Sequence, residues 1–101
     1  MSREQILKLD PLIHVPARLA ILSILVTIED ANFSFLKEAI GTTDGNLSVH
    51  LAKLETNGFI TIQKSFQGKK PKTTCAITKK GRKAFIEYLE QMEQIISVKK
   101  T

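Results

Sequence analysis

The chain has 101 residues, of which 43% are hydrophobic and 25% charged, the balance of a single globular domain. One cysteine, Cys75, excludes an internal disulfide and a multi-cysteine metal cluster, and we expect it to be a buried side chain in a strand. The formal net charge is +5, which favours a polyanion, above all nucleic acid, as the partner.

The amino-terminal part of the sequence predicts two helices. Residues 2–9 predict a short helix, capped by Ser2 and ended by Asp10-Pro11. Residues 15–28 carry apolar side chains on almost every side, which predicts a centrally buried helix with Pro16 in its first turn. The apolar run within this segment is roughly half as long as a membrane-spanning helix. Because the first ten residues also lack a signal-peptide pattern, we expect a cytoplasmic protein without membrane contact.

A helix-turn-helix is predicted in the middle of the chain. Phe33 is expected in a short strand, and Ser34 is expected to cap a brief helix, Phe35 to Ile40, that stops at Gly41. The next helix begins after about three residues, which is a helix-turn-helix spacing.

That next helix is capped by Thr43 or Thr42 and ends at Gly58. Three leucines at helical spacing predict a stripe that packs on the core: Leu47, Leu51 and Leu54. The outward positions then combine short hydrogen-bonding side chains, a methyl-bearing side chain and a cation, which are the types that contact DNA. We expect four of them to face base edges: Asn46, Ser48, Val49 and His50.

A β-hairpin is predicted directly after this helix. Its first strand begins at Phe59, its second spans Thr73 to Thr78, and Gly68 and Pro71 are expected to form the turn between them. No acidic residue interrupts the basic residues from Lys64 to Lys83, so a polyanion is a better explanation than an ordinary solvated face. The residues expected to hold DNA phosphates are Thr43, Gly45, Lys53, Lys64, Lys69, Lys70 and Lys72.

The last segment predicts a long amphipathic helix after Thr78. Its apolar stripe recurs at steps of three or four residues: Phe85, Leu89, Met92 and Ile96. Two interpretations stay open, a helix packed within its own domain and a helix that pairs with a second copy of the chain. We favour the dimer, with these four residues at the interface and the amino-terminal helix beside them.

Five motifs between residues 10 and 89 carry a family resemblance: DPLIH, TDGNLSVHL, GFI, GKKP and TKKGR. Together they resemble the small winged-helix transcriptional regulators related to the MarR and ArsR families. The resemblance implies a dimer that binds operator DNA, with residues 43–57 in the major groove and the hairpin from Lys64 to Thr73 along the adjacent backbone or minor groove. Unlike many ArsR-type repressors, the chain has no pair of cysteines for a metal.

We therefore predict an α+β, mainly helical, winged helix-turn-helix in a single domain at residues 1–101, with the winged-helix core at about 10–78 and the dimer helix at 79–98. The expected function is sequence-specific binding of double-stranded DNA as a homodimeric transcriptional regulator. The alternative is a winged helix that binds other proteins. No catalytic grouping, metal site or cofactor motif is present, so an enzyme is not expected. A small-molecule effector is left open, without a pattern that supports one.

Overall fold

The computed structural model describes residues 3–98, so the predicted cap at Ser2 lies outside the described residues. The elements, in chain order, are α1 (Arg3–Leu7), α2 (Pro16–Leu25), β1 (Ala31–Asn32), α3 (Phe33–Ile40), α4 (Asp44–Thr56), β2 (Ile60–Gln67), β3 (Lys70–Ile77) and α5 (Lys79–Val98). The α+β, mainly helical fold with a winged helix-turn-helix is confirmed. None of these helices is long and apolar enough to cross a lipid bilayer.

The central helix is α2, whose side chains Ile21, Leu22 and Leu25 are completely buried. Pro16 occupies its first position, as predicted. The helix ends at Leu25 and not at Ile28, which is partly exposed. Arg82 of α5 donates to the carbonyl oxygen of Val26 at 3.4 Å and so supplies a partner at the end of α2.

The start of α3 differs from the prediction by two residues. The short strand is Ala31–Asn32, and Phe33 is the first residue of the helix. Asn32, not Ser34, is the cap, because its side-chain oxygen accepts a hydrogen bond from the amide of Phe35 at 2.8 Å. Asparagine and serine are equally good caps, so composition alone does not separate the two positions.

The three strands form one antiparallel sheet in the order β1-β3-β2. The wing, which is the hairpin of β2 and β3, is longer and tighter than predicted, because only Gly68 and Lys69 lie between the strands. Gly68 has a positive φ of 67°, as the first position of a two-residue hairpin turn requires. Pro71 is therefore not a turn residue but lies in β3 opposite Phe66. β1 covers only Cys75 and Thr74 on the other edge of β3, so Pro71 interrupts no pairing there.

The base of the wing is joined to α5 at Thr78. The Thr78 hydroxyl donates to the carbonyl oxygen of Gly58 at 2.6 Å and accepts from the amide of Gly81 at 2.9 Å. Gly81 packs on the backbone of Phe59 so closely that a β-carbon would overlap the Phe59 carbonyl oxygen. The end of α4, the base of the wing and the first turn of α5 consequently meet at one point.

The molecule is elongated, with extents of 57 × 26 × 21 Å, and α5 is its carboxyl-terminal helix. It has 20 residues, and 20 residues of α-helix are about 30 Å long. Phe85, Tyr88 and Ile95 are buried in the core, and α1 packs beside this helix.

Candidate nucleic-acid interface

The amino-terminal end of α4 is built by a side-chain cap and an ion pair. Thr43 Oγ1 accepts a hydrogen bond from the amide of Asn46 at 3.1 Å, so Thr43 and not Thr42 is the cap. Asp44 lies in the first turn, where the helix dipole favours an acid. Its carboxylate is 2.9 Å from Lys37 Nζ of α3. Both side chains are exposed, so this ion pair contributes little to stability.

The predicted leucine stripe of α4 is confirmed, because Leu47, Leu51 and Leu54 are buried. Helical geometry then places Val49 near the middle of the opposite, solvent-facing side. Its side chain is 54% exposed. Ala52 is also exposed and lies three residues further along the same side. Ala52 was not among the predicted DNA-contacting residues, although its spacing of three residues from Val49 already indicated that the two share a face.

Ser48 and His50, in contrast, lie on opposite flanks of α4. Ser48 borders a hollow between α4 and the wing, where Glu55, Lys64 and Thr73 also line the wall. His50 lies on the other flank, towards α2, and is half-buried. The four residues predicted to face bases are thus all in or beside the solvent-facing surface of α4, but they do not form one continuous row.

The electrostatics of the His50 flank involve a residue that the sequence analysis missed, Arg18 of α2. Arg18 is only 8% exposed, and its Nε has no hydrogen-bond partner in the structure. His50 Nδ1 is likewise buried without a partner. Burial lowers the pKa of His50, and the positive charges of Arg18 and Lys53 lower it further. The neutral form of His50 is therefore favoured, and this flank carries two cations, Arg18 and Lys53.

Strand alternation distributes the wing lysines over two faces. Side chains two residues apart on a strand lie on the same face, and paired residues share it. Lys64 therefore lies on the face of Ile62 and Cys75, which looks towards α4. Lys70 and Lys72 lie on the opposite face, and Lys69 occupies the turn. The wing therefore carries cations at its turn and on both faces of a narrow ribbon.

Phe66 is the second feature that the sequence analysis did not use. It is 75% exposed near the end of the wing, on the same face as Lys64. Its direct partner across the hairpin is Pro71. The sequence already indicated that Phe66 is unusual, because it is a phenylalanine inside a segment otherwise composed of polar and basic residues.

Cys75 is buried in β3 opposite Ile62, as predicted for a structural side chain. Burial raises the pKa of its thiol to about 11, and the nearby Glu55 carboxylate adds to this shift. Within residues 3–98, no three His, Cys, Asp or Glu side chains are grouped as a metal site requires.

The predicted interface residues of α5 divide between core and surface. Phe85 is 4% exposed and packs in the core of its own chain, and Met92 is partly buried against that core. Leu89 and Ile96 are about half exposed, at 47% and 50%. Ile86, which was not selected, is exposed on the same side of the helix, three residues before Leu89. We call Ile86, Leu89 and Ile96 the α5 stripe.

Comparison with known sequences points to one family. The sequence profile described as winged helix DNA-binding domain matches residues 17–96. An uncharacterized protein of Methanocaldococcus jannaschii is 44% identical over 78 residues, which cover 77% of this chain and 85% of that protein.

Comparison with solved structures agrees. A transcriptional regulator homologue from Pyrococcus horikoshii OT3 superimposes with a TM-score of 0.86 and 27% identity, covering 93% of this chain and 95% of that one. An ArsR family transcriptional regulator gives a TM-score of 0.59 and 25% identity, with 96% and 95% covered. A zinc-responsive MarR family member of Lactococcus lactis gives a TM-score of 0.62 over 83% of this chain and 57% of that one. At 18% identity the last comparison shows the fold alone. The resemblance to MarR and ArsR regulators is confirmed.

Proposed function

Since the chain belongs to the winged helix DNA-binding domain family, we propose that it is a transcriptional regulator that recognises a specific sequence of double-stranded DNA as a homodimer. The observation that supports this most directly is the arrangement around α4. Its solvent-facing side carries small polar and methyl-bearing side chains, while cations lie on both flanks, Lys64 on one and Lys53 with Arg18 on the other.

The proposed base contacts come from Asn46, Ser48, Val49 and His50. Val49 is the most central, and its methyl groups suit the methyl group of thymine. Because His50 Nδ1 is buried, we assign any contact with a base to its Nε2. A neutral imidazole then either donates or accepts one hydrogen bond at this position.

Phosphate contacts surround this surface on three sides. Thr43 and Gly45 lie at the start of α4, where free amides and the helix dipole favour an anion. Lys53 and Lys64 flank the helix, and Lys69, Lys70 and Lys72 line the wing. Nothing adjoins the open side of Gly45, so a phosphate oxygen has room to reach the backbone there.

Dimerisation is proposed through the α5 stripe, with partly buried Met92 at its edge. α1, which packs beside α5, adds the exposed side chains Ile6 and Leu7. A two-fold dimer then places two α4 helices about 34 Å apart, which matches half-sites one helical turn apart. The proposed setting of this regulator is the cytoplasm.

The decisive test measures binding to duplexes enriched from random sequences, by fluorescence anisotropy over a series of salt concentrations. We expect wild type to lose affinity steeply as salt rises, by about one unit of logarithmic slope per phosphate contact. The double variant Lys69→Ala/Lys70→Ala is expected to lower that slope by about 2. The double variant Arg3→Ala/Lys8→Ala, which removes two exposed cations outside the basic run from Lys64 to Lys83, serves as the charge-matched control.

Two results would contradict the proposal. Equal salt slopes for wild type and the Lys69/Lys70 variant would show that these wing lysines do not contact DNA phosphates. Failure to enrich any sequence, together with retention of a protein partner at high salt, would favour the alternative of a protein-binding winged helix.

A further inference from the structure

The apolar end of the wing is not used by any of the contacts proposed above. Phe66 is 75% exposed, more than Leu7 at 71% or Val49 at 54%. Pro71 lies directly opposite it on β3, so the two rings form one cross-strand pair. A partner that covered this pair would remove apolar surface from water, which favours association.

The surroundings of the pair limit the chemistry of that partner. Lys64 precedes Phe66 by two residues on the same face, Lys69 is in the turn, and Lys70 and Lys72 lie on the other face. No acidic residue occurs between Glu55 and Glu87. An exposed apolar pair surrounded by lysines fits a partner that has a negatively charged surface and flat apolar groups inside it.

Duplex DNA has both properties. Its backbone carries the charge, and its stacked base pairs provide apolar faces that open at flexible steps. Phenylalanine and proline are among the side chains that DNA-bending proteins insert from the minor groove as wedges. A hairpin whose only loop residues are Gly68 and Lys69 is narrow enough to present such a wedge without a bulky tip.

We propose that Phe66, supported by Pro71, enters the minor groove of bound DNA and wedges against a base step, so that the protein bends its site. This inference rests on the proposed DNA-binding function and adds a contact of a different kind, apolar and independent of phosphate. If this proposal is correct, the protein prefers DNA sites with flexible pyrimidine–purine steps beneath the wing, at positions that α4 does not contact.

The test compares wild type with Phe66→Ala on an enriched duplex. Bending is measured by energy transfer between dyes at the duplex ends, and unstacking by 2-aminopurine placed in turn at each step under the wing. We expect wild type to raise both signals. Phe66→Ala is expected to lose both signals and to bind roughly 10-fold more weakly, since the stacking contact of the aromatic ring with a base is removed.

Two control variants isolate the wedge. Gln67→Ala changes the adjacent residue on the opposite face and is expected to behave as wild type. Phe66→Leu keeps an apolar side chain and is expected to retain part of the bend. The salt slope of Phe66→Ala is expected to equal that of wild type, in contrast to the lysine variant, because no phosphate contact is removed.

Three results would overturn the inference. Equal bending and 2-aminopurine signals in wild type and Phe66→Ala would remove the wedge and leave the proposed function intact. A changed sedimentation coefficient for Phe66→Ala without DNA would instead make Phe66 a contact between copies of the chain. Absence of any duplex binding by wild type would remove the proposed function and the wedge together.

Discussion

The hydroxyl of Tyr88 lies 2.7 Å from Nδ1 of His14, and this hydrogen bond joins α5 to the loop that precedes α2. The rings also contact each other, with centroids 5.9 Å apart. Tyr88 is buried whereas His14 is exposed, so the hydrogen bond attaches an exposed residue of the loop to a buried residue of the core.

Tyr88→Phe is expected to lower the free energy of unfolding by about 1 kcal/mol, because one hydrogen bond is lost while the ring packing stays. Burial raises the pKa of Tyr88 above its ordinary value of 10.0. Its contribution to stability is therefore complete below that value and is lost as pH rises through the pKa of the folded state. Urea unfolding from pH 8 to 11 should show a steeper loss for wild type than for Tyr88→Phe; parallel curves would refute this.

Gly81→Ala and Gly45→Ala should have opposite effects on stability. A β-carbon at position 81 meets the carbonyl of Phe59, so we expect a loss of about 1–3 kcal/mol. A β-carbon at position 45 meets nothing, and replacing a helical glycine by alanine is expected to add about 0.5–1 kcal/mol. Thermal unfolding measures both.

The same Gly45→Ala variant separates stability from DNA binding. We expect it to bind DNA more weakly although it is more stable, because the new methyl group occupies the approach of a phosphate to the amides at the start of α4. Unchanged affinity in the anisotropy assay would show that no phosphate comes close to this position.

His50 should titrate below its ordinary pKa of 6.5, since burial, Arg18 and Lys53 all lower it. A depressed pKa means that its contribution to stability is present above pH 6.5 and is lost as pH falls through the pKa of the folded protein. NMR titration of the His50 ring protons measures the shift. Arg18→Met removes one of the causes and should move the pKa of His50 upwards; an unchanged value would place Arg18 too far away to act.

Leu89→Glu is expected to produce monomers, because it introduces a charge in the middle of the α5 stripe. Its side chain is 47% exposed in the single chain, so the substitution should leave folding intact. Glu87→Gln, an exposed change on the same helix, serves as the control. Sedimentation velocity should show half the wild-type mass for Leu89→Glu and wild-type mass for the control. An unchanged mass for Leu89→Glu would exclude this stripe as the interface.

Much of the fold follows from local patterns that the sequence displays directly. The leucine spacing in α4, its threonine cap and Gly41 after α3 each depend on a few neighbouring residues, and each was predicted correctly. The carboxyl-terminal end of α2 and the turn of the wing were not. The first depends on a contact with a distant residue, that of Arg82 with Val26, and the second on the exact register of the two wing strands, which pairs Phe66 with Pro71.

The candidate site shows the same division. The solvent-facing side of α4 was predictable because helical periodicity assigns it. The buried Arg18 beside His50 was not, because it requires knowledge of how α2 crosses α4. The two-faced distribution of the wing lysines depended on the exact turn, since shifting a strand by one residue moves every side chain to the other face.

The hydrogen bonds of the Thr78 hydroxyl would affect how a dimer matches the spacing of its two DNA half-sites. It holds the carbonyl of Gly58 and the amide of Gly81 at once, so α5 has no free hinge at its base. In the proposed dimer, a rotation of the two α5 helices against each other would therefore move α4 and the wing as well. The distance between the two α4 helices, and with it the preferred spacing of the half-sites, would then depend on the helix crossing angle in the proposed dimer.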